Sequence, residues 1–164
     1  MRESKRVPQR LPMYDLEAEQ SVIGGILLDN DVLPLVLEIL GGDEFYRGAH
    51  RAAFAAVIAL FERKEPCDLV TLTNILKSQN KLEDAGGDSY LASLLDRVRW
   101  SSASDAVHDA RIIREKYVRR LVAGVFRRHY KMALDENISL EELLDRLDLE
   151  LEDLREYLGV KKEA

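Results

Sequence analysis

The chain has 164 residues, which suits one domain or a domain with an appendage. Its 46% hydrophobic and 33% charged residues are typical of a folded, helix-rich protein, and its net charge of −6 argues against a surface devoted to nucleic acid. The single cysteine, Cys67, excludes an internal disulfide and fits a reducing, cytoplasmic location. No apolar run approaches the roughly 20 residues of a membrane helix, so we expect no membrane association.

The first part of the chain predicts an arm followed by a compact helical head. Residues 1–14 are basic and hold two prolines, and we predict that they form a mobile N-terminal arm. Residues 15–98 predict a head of about five helices. These helices cover residues 15–28, 32–40, 48–63, a stretch after Asp68 that includes 72–76, and 89–98. We predict that Asp15 caps the first helix and that Asn30 or Asp31 opens the second. The third is apolar nearly all round, which places it at the centre of the head.

A pair of glycines lies inside the first predicted helix, where each costs about 1 kcal/mol relative to alanine. We interpret Gly24 and Gly25 as places where another helix approaches closely. A phosphate-binding turn is the alternative, but no Lys-Ser or Lys-Thr follows the glycines and no strand precedes them.

The rest of the chain, residues 99–164, predicts a long antiparallel helical hairpin and the start of a linker. Residues 104–134 contain no proline and one glycine, and their apolar residues recur every three or four positions. Ser139 and Glu142 form the pattern of a capping box, which predicts that a second helix begins there. The first helix is basic and the second acidic, which favours folding back on each other. The second helix carries a regular leucine seam made of Leu140, Leu144, Leu147, Leu151, Leu154 and Leu158.

A two-helix hairpin has no third layer to cover its apolar faces, so we predict that it packs on the head, on another copy, or on both. The all-α chain is therefore expected to self-associate. The predicted protein-interface residues, chosen by periodicity, are Tyr90, Tyr117, Leu121, Val122, Val125, Phe126, Leu143, Leu144, Leu147, Leu151 and Leu154.

A search for chemistry predicts no catalytic, cofactor-binding or metal-binding residue. The three histidines are scattered, and with one cysteine they do not make a zinc pattern. His50, at a predicted helix start, is interpreted as a polar cap or surface residue. No phosphate loop occurs, so an enzyme with an unrecognised site is the least favoured hypothesis. A small nucleic-acid-binding module is the alternative function, using the basic helix at residues 111–131.

Five stretches, in order, resemble the N-terminal domain of bacterial replicative helicases of the DnaB family. The strongest is LEAEQSVIGGILLD at residues 16–29. The others are DEFYR at 43–47 followed by AHR at 49–51, DLVTL at 68–72, LEDAGG at 82–87 followed by YL at 90–91, and ARIIREK at 110–116. Together these motifs cover residues 15 to about 120.

The resemblance implies a helical head followed by a helical hairpin. In this family such domains associate, hairpin to hairpin, into the collar of a hexameric ring, which binds primase and, in some systems, a helicase loader. The motor that uses ATP and magnesium is a separate RecA-like domain that follows a linker. The resemblance therefore implies an N-terminal piece that takes part in DNA replication as a docking domain but does not itself hydrolyse ATP, and that binds little nucleic acid directly.

Overall fold

The computed structural model describes residues 13–159, which are helical and contain no strand. This confirms the predicted all-α fold, with its compact head of about five helices and its long hairpin. The helices are α1 (Leu16–Leu28), α2 (Leu33–Leu37), α3 (Gly48–Glu62), α4 (Leu69–Ser78), α5 (Gly87–Ser93), α6 (Ala103–Ala133) and α7 (Leu140–Leu158). Two 3₁₀ turns, Asn30–Val32 and Leu94–Arg97, precede α2 and follow α5. The predicted arm at residues 1–14 lies outside the described residues, apart from Met13 and Tyr14.

The described chain divides into two compact units, and the division falls within α6. The first unit, here the head unit, ends at Tyr117, and the second, the hairpin unit, begins at Val118. The beginning of α6 belongs to the head unit, where Ala106, Ala110 and Ile113 join the core. The sequence-based domain boundary after residue 98 stays a prediction.

The head unit is built around α1, which is buried over most of its surface. Its start is fixed as predicted, because the Asp15 carboxylate accepts a hydrogen bond from the Ala18 amide at 3.0 Å. The space beside the two glycines of α1, Gly24 and Gly25, is filled by other parts of the head unit. A Cβ at Gly24 would lie 2.1 Å from the carbonyl oxygen of Leu94, and one at Gly25 would lie 2.0 Å from the Trp100 ring. The prediction of close approach is therefore right, although the neighbours are a 3₁₀ turn and an indole ring.

Three details of the head differ from the sequence-based expectations. α2 ends at Leu37, short of the predicted residue 40. Asn30 does not cap that helix. Its side-chain amide donates to the Ile26 and Cys67 carbonyls at 2.8 and 2.7 Å and accepts from the Cys67 amide, so it fastens two loops together. α3 is not buried all round, since Phe61 is 44% exposed.

The hairpin unit contains the end of α6 and all of α7. The Ser139 hydroxyl accepts from the Glu142 amide at 3.1 Å, which caps α7 as predicted. The Glu142 carboxylate pairs with Arg146 one turn later, so its side chain does not complete a capping box in the described contacts. Gly159 ends the helix in the left-handed region, with φ of 65°.

No single helix within residues 13–159 has the length and apolar character needed to cross a membrane. One bent pair of helices, Leu16–Leu28 with Asn30–Leu37, is together long and apolar enough for a broken membrane span, by length and composition only.

Candidate protein interface

The hairpin unit buries few of its side chains completely. Among its described residues only Val125 and His129 are buried, and both lie on α6. α7 has no buried residue at all, although its leucines follow a regular spacing. Two helices alone thus leave several large apolar side chains exposed, among them Phe126, Tyr130 and Leu144.

An apolar groove runs between the two helices near their connection. We call it the tip groove, and it has a volume of about 420 Å³. It is lined by Phe126, His129, Tyr130, Ala133, Leu143, Leu144 and Leu147. Phe126, Tyr130 and Leu144 are 55%, 67% and 59% exposed. Contiguous large apolar side chains at this exposure are typical of a surface that binds another protein.

One buried polar atom in the tip groove has no hydrogen-bond partner among the described residues. The Nδ1 atom of His129 lies 2.9 Å from the Val125 carbonyl oxygen, while Nε2 is buried and has no hydrogen-bond partner among the described residues. An unsatisfied buried group of this kind costs about 1–3 kcal/mol.

A second groove in the hairpin unit is charged. It has a volume of about 390 Å³ and includes Arg120, Arg128, Glu150 and Asp153 in its lining. Arg128 and Glu150 form an ion pair between α6 and α7. The hydrogen bond from Arg128 lowers the pKa of the Glu150 carboxyl, and the same bond raises the pKa of Arg128. This pair supports the predicted attraction between the basic and the acidic helix.

The structure gathers four of the predicted interface residues, Phe126, Leu143, Leu144 and Leu147, in the tip groove. Three others, Leu121, Val125 and Leu154, line the charged groove. Tyr117, Val122 and Leu151 are half-buried. That another chain contacts these residues stays a prediction.

The register of the leucine seam differs slightly from the expected one. Leu140 and Leu144 were expected in the seam but are 77% and 59% exposed, whereas Leu143 is half-buried. The repeat sets the spacing of the leucines, whereas the turn of α6 that lies opposite decides which of them are covered. The spacing of apolar residues also does not reveal His129, which follows Val125 by one turn and lies on the same face of α6.

The remaining predicted interface residue, Tyr90, belongs to a polar network inside the head unit. Its hydroxyl lies 2.6 Å from Nε2 of His50 and accepts from the Arg47 guanidinium at 2.9 Å. Nδ1 of His50 lies 2.6 Å from the Glu19 carboxylate. His50 is completely buried, so its interpretation as a surface or cap residue was wrong.

Glu19 is the centre of this network and was not singled out by the sequence analysis. It is 1% exposed and accepts from the backbone amides of Tyr46 and Arg47 at 2.7 and 3.3 Å. These amides immediately precede α3, where the helix dipole favours a negative charge. Nothing near Glu19 in the sequence marks it as buried, because the residue that pairs with it, His50, lies 31 positions away.

A second set of polar contacts in the head unit involves Glu44 of the DEFYR stretch. The buried Glu44 carboxylate accepts from the amides of Gly41 and Gly42 at 3.0 and 2.9 Å. Arg114 of α6 donates to the Ile39 carbonyl at 3.0 Å and lies 3.8 Å from Glu44. Two arginines of the proposed nucleic-acid surface, Arg114 and Arg128, are thus bonded within their own units.

The cysteine and the acidic residues give no sign of a reactive or metal site. Burial raises the pKa of the Cys67 thiol to about 12, so the sulfur stays protonated and weakly nucleophilic at neutral pH. Across residues 13–159 no group of three or more His, Cys, Asp or Glu side chains is arranged to hold a metal ion.

Comparison with known families decides the relationship. Residues 11–115 match the family described as the DnaB-like helicase N-terminal domain. The chain belongs to this family. The DnaB N-terminal domain is the non-catalytic part of these replicative helicases, as predicted.

Relatives of the DnaB family agree with this assignment. The chain is 38% identical over 142 residues to replicative DNA helicase DnaB of Rhodothermus marinus, covering 87% of this chain and 15% of that protein. It is 42% identical over 120 residues to DnaB of Geobacillus stearothermophilus, covering 73% and 26%. The chain thus spans about a quarter or less of the length of these relatives.

Two solved structures share the fold. The N-terminal domain of DnaB helicase from Mycobacterium tuberculosis is 35% identical, with a TM-score of 0.79 that covers 88% of this chain and 99% of that one. A DnaB-like replicative helicase, whose structure is described with its interactions with primase, has a TM-score of 0.66 at 20% identity. The match covers 85% of this chain and 31% of the helicase, and at this identity it supports the fold alone.

Proposed function

We propose that this chain is the assembly and docking domain of a replicative DNA helicase. Copies join through their hairpin units into the collar of a hexamer, and the collar binds primase and a helicase loader in the cytoplasm. ATP and magnesium act in a separate motor domain of the whole helicase. The observation that carries the proposal is the tip groove, where Phe126, Tyr130 and Leu144 leave a contiguous apolar surface uncovered.

Family membership supports the same function from a different direction. The matching proteins are replicative helicases, and one structure with the same fold is described with its interactions with primase. The hairpin unit has the apolar surface that such joining requires, while the head unit already buries its own core. Nucleic-acid binding by the basic helix is not part of the proposal, and single-stranded DNA titrated at two salt concentrations tests it separately.

A charge placed in the tip groove tests the proposal. We expect Leu144→Asp to weaken self-association about 30-fold or more, the effect of removing an interface side chain worth about 2 kcal/mol. The dissociation constant is measured by sedimentation equilibrium, and primase binding by co-sedimentation with primase from the same organism.

Leu149→Asp is the matched control. Leu149 lies on the same helix with 62% exposure, close to the 59% of Leu144, but it does not line the tip groove. It should associate like the unmodified chain. Equal behaviour of the two variants, or a chain that stays monomeric at millimolar concentration, would contradict the proposed assembly.

A further inference from the structure

The unpartnered nitrogen of His129 identifies the chemistry that the tip groove lacks. Nδ1 faces the Val125 carbonyl oxygen, which only accepts hydrogen bonds, so Nδ1 carries the ring proton. In the neutral ring Nε2 is therefore an acceptor, and it has no donor within the described residues. Buried polar groups in folded proteins are nearly always satisfied, so an orphan acceptor in an apolar groove points to a donor supplied from outside.

The lining of the groove limits what that donor can be when the occupant is a second copy. Among the groove residues only His129 and Tyr130 carry polar side-chain atoms. A pair of identical chains that meet about a two-fold axis places the same patch on both sides, so each groove faces the other. The tyrosine hydroxyl is then the one side-chain donor that the opposing groove offers.

We propose that, when two copies associate groove to groove, the Tyr130 hydroxyl of each copy donates a hydrogen bond to His129 Nε2 of the other. This inference rests on the proposed function and adds the polar contact that sets how the two grooves are aligned. The leucines and Phe126 supply apolar contact without direction, whereas a single hydrogen-bonded pair fixes which groove residues meet.

The charge pattern of the hairpin unit favours a second copy as the occupant. The part of α6 from Val118 to Ala133 carries five basic residues and no acidic one. α7 carries eight acidic residues against Arg146 and Arg155. A two-fold pairing that sets α6 of one copy beside α7 of the other brings opposite charges together twice, whereas an occupant of uniform charge is repelled by one of the helices.

The two groups of the proposed contact differ in exposure in the single chain. Tyr130 is 67% exposed, so most of its side chain is available to a partner. Nε2 is covered in the single chain by the side chains around it, and exposed groove side chains change rotamer readily when partners bind. We expect a rotamer change of this kind to uncover Nε2 for the hydroxyl of the other copy.

Tyr130→Phe tests the contact, because it removes the hydroxyl and keeps the aromatic ring. We expect Tyr130→Phe to raise the dissociation constant of self-association about 10-fold, because a symmetric pair loses two neutral hydrogen bonds. His129→Leu should weaken association similarly, and the double variant should be no weaker than the singles, since the two groups form one contact. Tyr14→Phe, which removes a hydroxyl from a partly exposed tyrosine of the head unit, is the matched control and should leave association unchanged.

A spectroscopic measurement separates this contact from a general effect on folding. In the ¹⁵N-labelled chain, the His129 Nε2 resonance should shift with protein concentration as the nitrogen gains a donor. Tyr130→Phe should abolish the shift while the rest of the spectrum stays that of a folded protein. If Tyr130→Phe associates normally and retains the shift while Leu144→Asp weakens association, the contact is wrong and the assembly stands. If Leu144→Asp also has no effect, both are wrong.

Discussion

The head unit and the hairpin unit contain similar proportions of apolar residues. The head unit buries many of them, whereas those of the described hairpin unit are half-buried or exposed, apart from Val125. The buried core cluster lies entirely within the head unit and includes Phe45, Phe54 and Leu72, each with no exposed surface. The described hairpin unit buries only Val125 and His129. A fold that closes its own core needs no partner, whereas two isolated helices reach a comparable density of contacts only by meeting another surface.

The largest expected effect comes from the same substitution made in each unit. Leu76→Ala removes a side chain with no exposed surface from the head, and we expect a loss of about 2–5 kcal/mol in the free energy of unfolding. Leu144→Ala removes a side chain that is 59% exposed and should cost less than about 0.5 kcal/mol in the monomer. Urea unfolding followed by fluorescence of Trp100, the single tryptophan and a head residue, measures the first loss, and circular dichroism measures both. Equal losses would show that the two units do not differ in closure.

A smaller effect tests how tightly the head is closed. Gly24→Ala places a methyl group against the Leu94 carbonyl oxygen, which cannot rotate away, and we expect a loss of about 1–3 kcal/mol. Gly41→Ala is the control, because a Cβ there meets no atom within 4 Å. Denaturation midpoints of the two variants should differ clearly, and a Gly24→Ala protein as stable as Gly41→Ala would mean that the contact with the 3₁₀ turn is loose.

The smallest expected effect is a dependence on pH that the two units share. Hydrogen bonds to the carboxylates lower the folded-state pKa of Asp68, Asp105, Asp135 and Glu150. Their stabilisation is present above the unfolded-state pKa of about 4 and is lost as pH falls through the lower folded-state values.

Thermal melts between neutral pH and about pH 3 should therefore show a falling midpoint as these carboxylates take up protons. In Asp135→Asn the largest cause of the shift, the Asn137 amide, keeps an acceptor that no longer titrates. That variant should lose less stability on acidification than the unmodified chain. A midpoint that rises on acidification would contradict the sign of the effect.

Local sequence signals were sufficient for most of the fold. Asp15, Asp68 and Ser139 mark helix starts because capping depends on residues only three positions apart. The prediction of residues 104–134 as one helix agrees with α6 to within one residue at each end. The Gly24–Gly25 pair was informative because two glycines in a helix need a compensating contact.

What the sequence did not reveal depends on residues far apart in the chain. His50 looked isolated because its partners, Glu19 and Tyr90, are 31 and 40 residues away. The leucine register at the start of α7 depends on which turn of α6 lies opposite, and no local pattern contains that information. His129 was passed over for the same reason, since only the folded hairpin unit shows that its Nε2 has no donor.

The buried Glu19–His50–Tyr90 network ties three separate stretches of the head into one thermodynamic unit. Removing the stretch that carries Tyr90 would leave Nε2 of the buried His50 without its partner, and an unpaired polar atom is poorly tolerated inside a protein. The minimal autonomous folding unit of the head must therefore contain all three stretches. Shorter pieces, including one that keeps the intact helices α1 to α3, should melt without cooperativity.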